Sequence, residues 1–97
     1  MPNISWNEEK NKLLKKTRGV SFEQVRQKLK SKSILADIPH FNQAQYPNQR
    51  IFILKILDYV YAVPYVKSNE GIFLKTIYPN RKLNKRYIGG KNDNNQN

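Results

Sequence analysis

Ninety-seven residues suffice for one modest core and not for two, so the chain is read as a single domain over residues 1–90 followed by a disordered polar tail at 91–97. Lys and Arg total 18 against 7 Asp and Glu, a formal net charge of +11 that exceeds what solubility requires and predicts a polyanionic partner, RNA before others. With no cysteine there is no disulfide framework, thiolate metal site or thiol nucleophile.

Residues 3–6 read as a short strand. Asn7 then caps a helix whose first turn carries Glu8 and Glu9, where negative charge suits the helix dipole, and whose last turn carries Lys15, Lys16 and Arg18 ahead of Gly19 as terminator. Ser21 and Gln24 have the spacing of a capping box, and Phe22, Val25 and Leu29 lie on one stripe of a second helix. From residue 34 the period changes to that of a strand over 34–38, followed by a polar loop over 39–49 with Pro47-Asn48 as a turn signal. A meander follows, with strands at 50–57 and 59–66 joined around Asp58 and a hairpin loop at 67–71 leading into a strand at 72–78. Pro64 cannot donate to a ladder and is expected at an edge, a bulge or a fraying end. Pro79-Asn80 breaks the last strand. Residues 81–88 fit a short helix with Leu83 and Tyr87 four apart, ended by Gly89 and Gly90.

The expected fold is α+β: an antiparallel sheet of about four strands, the two N-terminal helices on one face and the short C-terminal helix at its edge. Alternation puts Phe52, Leu54 and Ile56 on one side of the sheet and Ile51, Ile53 and Lys55 on the other. The apolar runs at 51–57 and 59–66 are too short to cross a bilayer as helices, and the N-terminus lacks a secretory pattern, so a cytoplasmic location is expected, with no membrane partner.

Two basic blocks stand out. Residues 10–32 hold nine Lys or Arg opposed only by Glu23, and residues 73–91 hold six with no acid. Phe22 in the first, and Phe73, Tyr78 and Tyr87 in the second, interleave aromatic faces suited to stacking on bases. The candidate RNA contacts are Lys10, Lys15, Arg18, Arg50, Lys75 and Arg86. No Asp-x-Asp motif, His pair or Gly-rich phosphate loop occurs, and His40, the single histidine, follows Pro39 in the polar loop and is read as structural or solvated. No metal or small-molecule cofactor is expected. What remains feasible is RNA cleavage in which the RNA's own 2′-hydroxyl attacks the adjacent phosphate. Arg, Lys and Tyr can then stabilise the added charge and move protons, and Arg81, Lys82, Lys85 and Tyr87 are the candidate catalytic residues. The other classes weighed are a non-catalytic RNA- or DNA-binding module, and an interaction protein docking an acidic partner through an open sheet that exposes Tyr59, Tyr61 and Tyr65.

Trp6-Asn7-Glu8-Glu9-Lys10, the lysines after it and Arg18-Gly19-Val20-Ser21-Phe22 resemble the opening of BrnT-type toxins, and Ile77-Tyr78-Pro79-Asn80-Arg81-Lys82-Leu83-Asn84-Lys85-Arg86-Tyr87 is similar to their closing segment. The resemblance spans about residues 4–88. It implies a RelE-like fold, a ribonuclease that inhibits translation and belongs to a type II toxin-antitoxin system, and a cognate DNA-binding antitoxin as partner. The chain departs from that pattern at Asn7, where Asp is usual, at Thr17-Arg18, where Lys-His is common, at Pro79-Asn80, and at Leu83 in place of Ala. The change at Thr17-Arg18 removes an imidazole from the turn that ends the first helix, and leaves Arg18 to bind phosphate there.

Overall fold

The computed structural model describes residues 3–89, so the tail expected at 91–97 lies outside the described residues. The chain is α+β. Strand β1 (Ile4–Trp6) leads into helices α1 (Glu8–Arg18) and α2 (Phe22–Lys30). Strands β2 (Ile34–Pro39), β3 (Gln49–Ile56), β4 (Tyr59–Ser68), β5 (Gly71–Leu74) and β6 (Tyr78–Pro79) follow, and the chain closes with helix α3 (Arg81–Asn84) and a π-helical turn (Lys85–Gly89).

Capping chemistry sets the helix boundaries. The Asn7 side chain accepts from the Lys10 N–H at 2.9 Å, Gly19 adopts φ 68° at the end of α1, and Ser21 and Gln24 cap each other reciprocally. The β3–β4 hairpin turns on Leu57 and Asp58, both at positive φ, which suits a two-residue turn between right-twisted strands.

The sheet has six strands rather than about four, and it is mixed rather than antiparallel. Its order is β1-β5-β4-β3-β2, with β6 also on β4, and β1 runs parallel to β5. A parallel neighbour needs a long crossover, and here everything between β1 and β5 provides it; spacing along the chain does not reveal such a pairing. The single strand expected over 72–78 is two. Tyr65 pairs with Leu74 but Ala62 with Tyr78, so one extra residue is accommodated between β5 and β6. The cause is Pro64. Its carbonyl accepts from the Lys75 N–H at 2.8 Å, so its missing donor faces the same side, and the ladder bulges where that hydrogen bond is unavailable.

Both faces of the sheet are covered. Phe52, Leu54, Ile56, Val63 and Tyr65 pack against Leu14, Val20, Phe22 and Val25 from α1, α2 and the turn between them. Ile51, Ile53, Val60 and Ala62 point the other way and receive Leu83 and Ile88. The C-terminal helix therefore lies on the face opposite α1 and α2, not at the sheet's edge. Its stripe also differs from the expected Leu83 and Tyr87 pair. Ile88 is the second anchor because the wide π turn moves the inward position from four residues on to five, leaving Tyr87 exposed.

Candidate nucleic-acid interface

Helix α3 is held on the sheet by asparagines. The Asn80 N–H donates to the Val60 carbonyl at 3.1 Å, the Asn80 side chain caps the Leu83 N–H at 2.9 Å, and Asn84 Oδ1 accepts from the Val60 N–H at 3.0 Å. With Leu83 packed, partly buried, against the sheet, Arg81, Lys82, Lys85, Arg86 and Tyr87 are turned to solvent. Among the described residues the ion pairs are Lys15–Glu23, Arg50–Asp37 and Lys55–Asp58, so no carboxylate neutralises the four cations of this C-terminal segment.

The two basic blocks do not merge into one groove, because α1 and α3 occupy opposite faces of the sheet. On the α1 side, Lys10 and Lys75 do converge. They line a cleft of about 680 Å³ with Asn7, Glu9, Leu13 and Phe73, and the Lys75 ammonium sits 5.5 Å from the Phe73 ring centroid. Three other predicted RNA contacts are occupied within the protein or lie apart. Lys15 faces Glu23 at 3.7 Å. Arg18 donates to the Ile77 carbonyl, tying the end of α1 to the segment between β5 and β6. Arg50, on the α1–α2 face, donates to the Asp37 carboxylate at 3.0 Å and to the Asp37 carbonyl at 2.9 Å.

Asp37 also accepts from the Tyr65 hydroxyl through both oxygens, at 2.7 and 2.8 Å. Tyr65 is buried, stacked on Phe52 at 3.9 Å, and not available to a partner as the interaction-surface reading required. Burial, followed by its bond to Asp37, pushes the Tyr65 phenol up to about 12. Tyr59 and Tyr61 are half-buried against each other.

The loop between β2 and β3, which the sequence presented only as polar, contributes aromatic and imidazole rings to two clefts. Phe41, Asn80, Lys82 and Leu83 line a cleft of about 360 Å³. A neighbouring cleft of about 420 Å³ is lined by His40, Tyr46, Gln49, Pro64, Lys75, Thr76 and Tyr78. Lys75 thus borders both this cleft and the one beside α1, because the bulge opposite Pro64 places it where the sheet ladder is interrupted. Burial raises the phenolic pKa of Tyr78, so the ring presents a neutral hydroxyl.

Compared with family models, curated proteins and solved structures, the chain matches none. No helix among the described residues is long and apolar enough to cross a membrane.

Phe41 and Tyr46 are not among the candidates the sequence offers, and His40 reads there as structural or solvated. The available signal was a pair of large exposed aromatic residues and an imidazole inside an otherwise polar loop; what the sequence lacked was the folding of that loop toward α3. Of the predicted catalytic group, Lys82 lines a cleft, while Arg81, Lys85 and Tyr87 are exposed on the same C-terminal segment and line none of the clefts described.

Proposed function

We propose that the protein is a metal-independent endoribonuclease with a RelE-like fold, acting as the toxin of a type II toxin-antitoxin pair in the cytoplasm. The observation that supports this reading is the set of four cations on α3 and the π turn, free of carboxylate partners among the described residues, on the same face as two aromatic-lined clefts. RNA supplies the nucleophile. The 2′-hydroxyl oxygen attacks the adjacent phosphorus, its proton passes to a base, and the 5′-oxygen of the next nucleotide leaves with a proton. The products are a 2′,3′-cyclic phosphate and a 5′-hydroxyl. Arg81 and Lys82 stabilise the extra negative charge on the five-coordinate phosphorus, Lys85 and Tyr87 handle protons, and Arg86 steers the chain from the same exposed segment. Lys10 and Lys75 guide RNA along the α1 side. A cognate DNA-binding antitoxin would hold the enzyme inactive by covering these cations.

The test is cleavage of a single-stranded RNA by purified protein in the presence of EDTA, with the product ends identified. Cyclic phosphate ends are expected, and they should vanish in the Arg81→Ala, Lys82→Ala double variant. Salt-sensitive binding without any product would instead favour the non-catalytic RNA- or DNA-binding module.

A further inference from the structure

The β2–β3 loop is polar in sequence yet held in one shape by hydrogen bonds. The His40 N–H donates to the Gln49 carbonyl at 3.2 Å, and the Tyr46 N–H donates to the Asn42 carbonyl at 2.9 Å. The Asn42 side chain accepts from the Gln45 N–H at 3.1 Å, and the Asn42 N–H donates to His40 Nδ1 at 3.0 Å. The last of these leaves the ring proton of a neutral His40 on Nε2. The shape keeps the His40 and Tyr46 rings 4.6 Å apart at the wall of the cleft of about 420 Å³, with Tyr46 still 37% exposed. Core packing does not account for that arrangement, because the loop residues from Phe41 to Asn48 are all exposed.

We propose that this cleft is a nucleotide subsite for single-stranded RNA, in which a base stacks on the Tyr46 ring between the loop and Tyr78 while Lys75 binds the adjoining phosphate. Its size lies in the range of small-ligand sites. The chemistry is complementary: aromatic faces for a base, an ammonium group for a phosphate, and the Gln49 amide with the Thr76 hydroxyl for polar edges. The subsite rests on the ribonuclease reading for its choice of RNA, and it gives that enzyme a way to hold one nucleotide of the bound strand at Lys75.

The experiment measures fluorescence anisotropy of a labelled RNA oligomer with 2′-O-methyl sugars, which binds but cannot be cut, on the full chain. Cleavage of the unmodified oligomer is measured in parallel. Tyr46→Ala should weaken binding about tenfold and leave its salt dependence unchanged, whereas Tyr46→Phe should bind like the parent protein. Lys75→Ala should weaken binding and reduce the steepness of its salt dependence. An oligomer lacking bases should bind the parent protein and Tyr46→Ala equally. Parent-level affinity in a folded Tyr46→Ala protein that still cleaves would overturn the subsite and leave the ribonuclease reading standing. Ring-dependent binding by a parent protein that never cuts would overturn the ribonuclease reading and leave the subsite.

Discussion

At the scale of single residues, the most constrained side chain is a polar one. Asn11 is fully buried, donates to Glu23 at 2.8 Å and accepts from the Phe22 N–H at 2.8 Å, so it joins α1 to the first turn of α2. Asn11→Ala leaves a buried N–H without a partner and should lower stability by about 2 kcal/mol in chemical denaturation. The same bond is the main reason the Glu23 carboxyl titrates below its ordinary value of 4.5. A depressed carboxyl pKa stabilises the fold fully above the unfolded value, and that contribution is lost as pH falls through the folded one. In Asn11→Ala the Glu23 titration, followed by NMR, should move back up and the acid-side loss should shrink. Tyr65 has the opposite sign. Its phenol is held protonated up to about 12, so stability is kept to the ordinary value of 10.0 and then falls as pH rises through the folded value. Tyr65→Phe should cost about 1.5 kcal/mol at neutral pH, by losing the bond to Asp37, and should flatten the alkaline limb of a denaturation series.

At the scale of elements, two junctions carry most of the information. Gly71 opens β5 at φ 140°, and a Cβ there would come within 2.1 Å of the Asn3 carbonyl oxygen, the atom that accepts the Ile72 N–H at the start of the parallel β1–β5 pairing. Gly71→Ala combines backbone strain with that collision and should destabilise the protein by about 3 kcal/mol, with early loss of amide-exchange protection at Ile72. The second junction is Pro64. That it would interrupt a ladder at an edge, a bulge or a fraying end was legible from its missing N–H, as were the asparagine, glycine and capping-box boundaries of α1 and α2, since each depends on atoms within a few residues of one another. The identity of the bulged strand was not legible, because it is set by which strand lies across from the proline. Nor was the π turn, whose extra residue replaced Tyr87 with Ile88 as the anchor packed against the sheet.

At the scale of the whole molecule, charge placement decides more than charge total. Of the 18 basic residues, those on α1 and those on α3 serve opposite faces of the sheet, so an RNA strand bound at the α3 face meets only part of the surplus. Affinity should fall with added salt, and the Arg81→Ala, Lys82→Ala double variant should reduce the log–log slope by about 1.4, while Lys15→Ala, on the other face, should leave it nearly unchanged. Measuring the slopes side by side tests which face the polyanion occupies.

Local order came from the chain itself. Its caps, turns and two-residue alternation determined the helices, most strand positions and the division of β3 between two faces, and its composition determined the surplus of positive charge. Tertiary structure alone decided that β1 enters parallel to β5, that α3 packs on the second face, and that the β2–β3 loop brings Phe41 to the cleft of Lys82 and His40 and Tyr46 to the cleft of Lys75. The physical reason is range: hydrogen-bond caps and side-chain alternation act between neighbours, whereas the meeting of residues some forty positions apart depends on how the whole sheet pairs and which of its faces each helix covers.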